Sequence, residues 1–409
     1  MPDTRDIPAK LLSLIGRAPE KPVCLFDFPR VGGATYYSLR RLEAFRQQGR
    51  GVLRLTCNAD GSLNASVHYR DLDAAFQLAG AHVLREPPMP EFGLLLVNEL
   101  VTWTLPASLH ASRIPVGEGR PRWIPALAGL VGDLAGSLKA RLEVVIHDYF
   151  AVCPNFVLLN DEAQERYCGV PGGEGCRECM RRPFMRAAFG PTFSIDAWRA
   201  AWGALLRRAD AVTCPSDAAR DILLRAYGDA VAHAAVVPHE PLLPHAEPLR
   251  LPPPEAPMHV VVVGQLTVPK GASMVRRLAP LLQARYPGAK LTVVGALAAP
   301  GPDLPYWVGV TGPYAKENLG PLLRELGATV GLIPSVWPET FHYVTQELMA
   351  LGLPLACFDL GAPAGRIGRW EHGLVAKEVS AEAALEALTA LDGRRKGGLL
   401  NLGSHPGIS

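Results

Sequence analysis

Short runs of consecutive apolar residues alternate with longer stretches whose apolar positions recur at helical spacing. Residues 22–28 (PVCLFDF), 51–57 (GVLRLTC), 92–98 (FGLLLVN), 141–148 (RLEVVIHD), 209–214 (ADAVTC) and 234–239 (AAVVPH) read as strands. Between the first two, residues 35–48 carry a helical period that Gly49 closes. In these runs the apolar positions are adjacent rather than alternate, which marks strands covered on both faces, as in a parallel sheet flanked by helices. Residues 240–257 interrupt the pattern with a proline density that neither a helix nor a central strand tolerates, so they read as an extended linker. Beyond them the alternation restarts, with strands at 258–264, 289–295, 306–312, 328–334 and 354–359 and helices at about 271–285, 316–326, 342–351 and 380–391. The pattern gives an α/β protein of two lobes separated by a cleft. An N-terminal domain covers 1–240, a linker 241–257, a C-terminal domain 258–392 and an irregular tail 393–409.

Composition narrows the function. The chain has 409 residues, with 41 Lys+Arg against 39 Asp+Glu and a formal charge of +2. No basic stripe stands out, so nucleic acid is not an expected partner. Forty glycines and 38 prolines indicate many loops. The opening residues carry Asp3 and Asp6 before a short apolar run, unlike a secretory signal. No apolar stretch reaches the ~18 residues of a spanning helix; the best segment, 125–137, is shorter and holds Asp133. The expectation is a soluble cytoplasmic protein. No P-loop and no G-x-G-x-x-G is present, so ATP and nicotinamide chemistry have no support.

Three constellations carry potential chemistry. The first is Pro334–His342 (PSVWPETFH), which follows a strand and enters a helix containing Glu347. In open α/β sheets ligands sit beyond the carboxyl ends of the strands. There Glu339 stands at the cleft mouth and Glu347 near a helix start whose free N–H groups favour anions. A carboxylate accepting two hydroxyl hydrogen bonds suits a ribose or a hexose. The alternative is that Glu339 merely favours the helix start and Glu347 is solvated. The second constellation is Cys153, Cys168, Cys176 and Cys179, in an insertion at about 150–190. Cys176 and Cys179 form a Cys-x-x-Cys pair, one half of a structural zinc site that would staple a loop without evident secondary structure. A disulfide pair and free thiols remain open alternatives. Cys24, Cys57, Cys214 and Cys357 lie in apolar runs and read as small core residues. The third is Asp71-Leu72-Asp73, which mimics a metal-binding D-x-D but reads as the acidic start of a helix. The Arg181-Arg182 and Arg207-Arg208 pairs read as solvated faces, with contact to acidic lipid headgroups as the alternative.

The stretch WPETFHYVTQELMALGLPLACFDLGAP resembles the donor-site signature of family 4, group 1 type glycosyltransferases. The signature is Glu-x7-Glu followed by Met-Ala-x-Gly-x-Pro, here Glu339, Glu347 and Met349 to Pro354. Gly32-Gly33 after the first strand, His147-Asp148 ending a strand, VTCPS at 212–216 and VVGQLTVPKG at 262–271 fall in the family's order. The resemblance extends from about 22 to 392. It implies the GT-B architecture, two Rossmann-like domains with parallel sheets facing across a cleft. The implied activity is retaining transfer of a hexose or deoxyhexose from a nucleoside diphosphate sugar to a saccharide or lipid-linked saccharide, in bacterial surface polysaccharide synthesis. By the same resemblance Lys270 binds the diphosphate, Glu347 the ribose, and Glu339 with Thr340 and Phe341 the transferred sugar. His147 lies beside that sugar, and Gly32 and Gly33 allow close approach of the backbone. No catalytic metal is implied. The family's front-face reaction leaves deprotonation of the acceptor to the departing phosphate, and the protein supplies positioning and charge. Members can associate peripherally with the inner face of the membrane.

This chain departs from the family at three positions: Gln265 stands in place of Arg, His342 in place of Gly and Gly365 in place of Glu. Losing the Arg removes one cation from the diphosphate. His342 at the helix start would have to donate a hydrogen bond to phosphate in compensation. Two other readings therefore remain: a non-catalytic GT-B partner subunit, and a nucleotide-sugar epimerase of the same fold.

Overall fold

The computed structural model describes residues 7–27, 32–57, 63–78, 90–101, 126–160, 163, 165–243, 246–298 and 301–400. The chain divides into two compact units, one of Met1–Phe156, Gly169–Ser216 and Arg220–Pro238, the other of Val157–Cys168, Asp217–Ala219 and His239–Ser409.

The first unit opens with α1 (Ile7–Gly16), β1 (Glu20–Asp27), α2 (Gly33–Gln47) and β2 (Arg50–Cys57). A hairpin of β3 (Leu63–Tyr69) and β4 (Leu72–Leu78) follows, then β5 (Leu94–Val97), α3 (Ala126–Ser137) and β6 (Arg141–Val145). Next come α4 (Gly173–Arg181), α5 (Pro183–Phe189), α6 (Ile195–Arg208), β7 (Ala211–Cys214), α7 (Asp217–Tyr227) and β8 (Ala235–Val236). The sheet runs β4-β3-β2-β1-β5-β6-β7-β8; the core strands are parallel and only the β3–β4 hairpin is antiparallel to its neighbours. Val23, Cys24, Leu25 and Phe26 are all buried in succession, the signature of a strand covered on both faces. Helix α2 turns Thr35, Ser38, Leu42 and Phe45 inward, a stripe at three- and four-residue spacing.

The second unit contains β9 (His259–Leu266), α8 (Ala272–Arg285), β10 (Lys290–Leu297), β11 (Val308–Val310), α9 (Leu319–Leu326) and β12 (Val330–Ile333). It continues with α10 (Tyr343–Ala350), β13 (Leu355–Phe358), α11 (Gly361–Ile367), β14 (Gly373–Ala376) and α12 (Ala381–Lys396). Its sheet, ordered β11-β10-β9-β12-β13-β14, is parallel throughout. Leu249, Val261, Leu319, Leu348, Leu355 and Trp370 belong to the core beneath the loops that follow β9, β12 and β13. No helix among the described residues is long and apolar enough to cross a membrane.

Three sequence expectations need correction. Asp71-Leu72-Asp73 does not open a helix: Asp71 lies in the turn between β3 and β4, and Leu72–Leu78 is an edge strand. Its half-buried and exposed residues alternate, a period of two that its alanines disguise. Asp73 holds the hairpin, with His68 Nδ1 at 2.6 Å and Arg46 at 3.2 Å. The Cys-rich insertion is not structureless, since it forms α4 and α5, the latter started by Pro183 at its first turn. The tail also begins later than expected, because α12 runs to Lys396.

Residues 246–257 hold no helix or strand and are tied down at several points. Leu249 is buried and its amide donates to the Leu351 carbonyl at 2.8 Å. Arg395 of α12 reaches the carbonyls of Pro252, Pro253 and Ala256 at 3.1, 2.7 and 2.8 Å. The Pro253 carbonyl also accepts from the Ala256 amide at 3.0 Å, and the buried guanidinium, which only donates, serves all three carbonyls at once.

Candidate functional site

In the second unit the carboxyl ends of β9, β12 and β13 lie side by side, and the loops there hold the residues singled out in the sequence. The chain after β12 folds tightly: the Val336 amide donates to the Pro269 carbonyl (2.9 Å), tying this loop to the turn that carries Lys270. Gly271, with φ of 82°, follows at the start of α8; a Cβ there would lie 2.0 Å from the Pro334 carbonyl oxygen. Only glycine permits that approach.

Glu339 and Glu347 are both buried, at 6% and 5% exposure, so neither is a solvated helix acid. Ser335 donates its hydroxyl to Glu339 Oε1 at 3.0 Å. Burial raises the Glu347 pKa, which Lys316 partly offsets. Lys270 is half-buried and pairs with no carboxylate among the described residues. It sits close enough to His342 that its charge lowers the histidine pKa. Thr340 and Phe341 are buried beside Glu339. Gln265, on β9, is exposed.

His342 turns one ring nitrogen back onto its own helix. It caps α10: Nδ1 accepts from the Thr345 amide at 3.2 Å, with the Thr345 hydroxyl at 2.8 Å. Its φ is 64°, a left-handed conformation that favours glycine. Burial lowers its pKa to about 4, with Lys270 and Arg366 adding to the effect against Glu339, so the ring is neutral at neutral pH. A neutral ring whose Nδ1 accepts carries its proton on Nε2, which lies 4.0 Å from Glu339 Oε1.

Arg366 was not anticipated. It stacks over the Phe341 ring (3.8 Å to the centroid) and donates to the Phe341 carbonyl at 2.7 Å. No carboxylate pairs with it among the described residues, and burial draws its pKa down to about 10. The Phe341 ring also meets His239, at 4.5 Å between centroids, and Tyr343, at 4.8 Å. Nothing in the sequence pattern marks Arg366 and His239 as partners, because each comes from a different segment from Phe341.

The first unit brings together a separate group at the carboxyl ends of β1, β5 and β6, which are neighbours in the sheet. His147, two residues beyond β6, places Nε2 at 2.6 Å from Asn98 Oδ1, and its ring meets Tyr37 edge-on at 4.9 Å. Asn98 in turn contacts the buried Asp27. Asp148 and Glu99 line a cavity of about 20 Å³ with His147 and Trp202, room for one water. Burial raises the Asp148 pKa to about 7; Glu99 is raised by burial and by the charges of Asp148 and Asp27. Gly32 precedes α2 in an extended conformation, with nothing within 4 Å of the position a Cβ would take, and Gly33 begins the helix.

The four insertion cysteines are not gathered. Cys153 and Cys176 are buried, Cys168 and Cys179 half-buried, and no disulfide joins them. Arg199 donates to Cys176 Sγ at 3.3 Å. Among the described residues no group of three or more His, Cys, Asp or Glu side chains converges on a metal position. Cys176 and Cys179 share a helix rather than the tight turn of a zinc half-site. The core reading of Cys24, Cys57, Cys214 and Cys357 agrees with the structure, where all four are buried.

The family model described as "Glycosyl transferases group 1" matches residues 257–392. A comparison with proteins of curated function gives no match. Among solved structures, sucrose-phosphate synthase from Thermosynechococcus elongatus is similar at 17% identity, with 93% of this chain and 95% of that one covered and a TM-score of 0.54. HepE from Anabaena, in complex with UDP-glucose, is similar at 14% identity, covering 94% and 92% with a TM-score of 0.52. The same protein with UDP and glucose gives 12%, 93%, 93% and 0.54. The fold is thus that of the GT-B glycosyltransferases, two α/β domains, and residues 257–392 match the model of a group 1 glycosyltransferase domain.

Proposed function

We propose that the protein transfers a hexose or deoxyhexose from a nucleoside diphosphate sugar to a saccharide or lipid-linked saccharide acceptor, with retention at the anomeric carbon, as a family 4 enzyme of bacterial surface polysaccharide synthesis. The observation that carries this reading is the pair Glu339 and Glu347, both buried at the carboxyl ends of β12 and its neighbours, inside the matched domain. Two buried carboxylates, one hydrogen-bonded by Ser335, are suited to sugar hydroxyls and are costly to bury for no purpose. Lys270, with no carboxylate partner among the described residues, supplies a cation for the diphosphate, and Glu347 accepts from the ribose. His147 stands beside the transferred sugar and Gly32-Gly33 beside the diphosphate. The solved relatives HepE with UDP-glucose and with UDP and glucose support a donor of this class. The protein works in the cytoplasm, at the inner face of the membrane when its acceptor is lipid-linked. Structural zinc on the insertion cysteines would require Cys153, Cys168, Cys176 and Cys179 to converge from the positions described above.

The test is a thermal-shift panel of UDP, GDP, dTDP, CDP and ADP on the wild type and on Glu347→Ala. A nucleotide at 100 times its Kd stabilises by about 2.7 kcal/mol. One nucleotide should stabilise the wild type and not the variant; the product anomer, read by NMR, then tests retention. If none stabilises a folded wild type, the donor reading fails. The second reading, a non-catalytic GT-B subunit, is favoured by one observation: His342 occupies the α10 N-terminus with its own side chain where phosphate would rest. Sugar products formed without any acceptor would instead mark an epimerase.

A further inference from the structure

Asn98, almost wholly buried, bridges Asp27 and His147. Its Nδ2 donates to Asp27 Oδ1 at 2.7 Å and to the Ala34 carbonyl at 3.3 Å, while its Oδ1 lies 2.6 Å from His147 Nε2. Asp27 is fully buried, and its other oxygen, Oδ2, accepts from Arg54 Nε at 2.6 Å and from the Ser38 hydroxyl at 2.8 Å.

The polarity of this chain is forced from its Arg54 end. A guanidinium only donates, and an ionised carboxylate only accepts. With Oδ2 committed to Arg54 and Ser38, Asp27 Oδ1 must meet a donor, and the Ala34 carbonyl demands a donor at the same place. Both requirements turn the Asn98 amide so that its NH2 faces Asp27 and Ala34. Its oxygen is then left toward His147, and the ring nitrogen 2.6 Å away must donate. We infer that the Arg54–Asp27–Asn98 relay fixes the neutral His147 ring as the tautomer protonated on Nε2. Asn98 is the positioning residue, and the ring's lone pair lies on Nδ1.

The consequence follows from imidazole chemistry. A ring protonated on Nε2 can accept through Nδ1, as from a sugar hydroxyl, and cannot donate there while neutral. That consequence rests on the proposed place of His147 beside the donor sugar; the tautomer itself does not. A wild-type ring protonated on Nε2 in a chain that binds no nucleotide would sink the functional reading and keep this one.

The relay makes a distinctive prediction at a residue that does not touch His147. In Asp27→Asn, Arg54 and Ser38 still demand an oxygen at the Oδ2 place, so the new amide turns its nitrogen toward Asn98. Two NH2 groups cannot face one another, and Asn98 must turn over, presenting its own NH2 to His147. The ring then moves its proton to Nδ1. In the double variant Asp27→Asn/Asn98→Asp the donor and acceptor exchange places, a carboxylate oxygen again meets the ring, and the Nε2 proton returns.

The experiment is a long-range 1H–15N correlation on the full chain, 15N-labelled, at a pH where the ring is neutral. The His147 signals are assigned by their loss in His147→Gln. The expected result is Nε2–H in the wild type, Nδ1–H in Asp27→Asn, and Nε2–H again in the double variant. A wild-type ring protonated on Nδ1 overturns the inference, as does a folded Asp27→Asn chain that keeps Nε2–H. Should Asp27→Asn fail to fold, the wild type and the double variant decide, and Nδ1–H in either one overturns it.

Discussion

Gly361 offers the sharpest test of how the Glu339 loop is held. It is the first residue of α11, with φ of 60°, and a Cβ there would lie 2.5 Å from the Glu339 amide nitrogen, the Glu339 carbonyl oxygen and the Pro338 carbonyl carbon. These are backbone atoms, and the loop cannot yield freely, because the Ala362 amide donates to the Glu339 carbonyl at 2.8 Å and the Glu339 amide to Trp337 at 2.9 Å. For Gly361→Ala the left-handed backbone costs about 1–2 kcal/mol. Overpacking adds about 1–3 kcal/mol. The sum, roughly 2–5 kcal/mol, corresponds to a fall in Tm of about 5–20 °C for a domain of this size. Gly365→Ala is the matched control on the same helix: Gly365 is exposed, and the nearest atom to its Cβ is Arg369 Nη2 at 3.7 Å. Alanine there should be neutral or stabilise by about 0.5–1 kcal/mol. Calorimetric melts of both variants, with and without the nucleotide that stabilises the wild type, read the result. Gly361→Ala should melt earlier and lose most of the nucleotide shift, because Glu339 is displaced. If the two variants melt together, or if Gly361→Ala keeps the full shift, the close approach of α11 does not hold Glu339.

Three further expectations follow from the same geometry. His342→Gly relieves the left-handed φ and frees the Thr345 amide, so stability should stay within about 1 kcal/mol while calorimetric nucleotide affinity rises; unchanged affinity would show that the capping ring does not compete with phosphate. Arg395→Ala removes the grip on Pro252, Pro253 and Ala256 and one partner of the buried Asp392, which keeps Lys396 at 2.8 Å. The cost should be about 3 kcal/mol in a melt, near the low end for breaking a buried ion pair, and a loss under 1 kcal/mol would mean the linker is held by its apolar contacts alone. The third concerns pH. Asp148 has a folded pKa raised from 3.8 to about 7, so the folded chain holds more protons than the unfolded one between those values. Stability from this group is present below the unfolded pKa and declines as pH rises through about 7, and Asp148→Asn should flatten that decline in melts from pH 5 to pH 8.

Most of the parallel framework was legible because a strand buried on both faces advertises itself: the runs at 22–28, 258–264 and 328–334 fall on β1, β9 and β12 within a few residues. What the pattern hid was edge structure. In β4 one face is half-buried and the other exposed, so LDAAFQL presents alanines where a central strand would show valines, and alanine speaks for helix. The helices of the cysteine insertion escaped for another reason. In α4 the inward positions are Cys176 and Met180, and cysteines read as ligands draw attention from the period they belong to.

The candidate site divides along the same line. Glu339, Glu347 and Lys270 sit within one stretch of chain each and carry a spacing, so they could be found by reading. Arg366, Asn98 and Asp27 could not, since each acts on a residue from another segment: Arg366 on Phe341 across 25 positions, Asn98 on Asp27 across 71. The difference is physical. A motif records which side chains one loop presents, whereas the state of those side chains is set by whatever the sheet places alongside. His342 shows both at once. Its position in the motif was legible, and its departure from glycine was plain. That the ring would turn back to cap its own helix, neutral and with Nδ1 already occupied by Thr345, required the left-handed backbone and the burial beside Glu339 and Lys270. A ring in that state occupies the helix N-terminus through Nδ1, and nucleotide affinity, more than fold, is the quantity that separates an active transferase from a subunit that has kept only its shape.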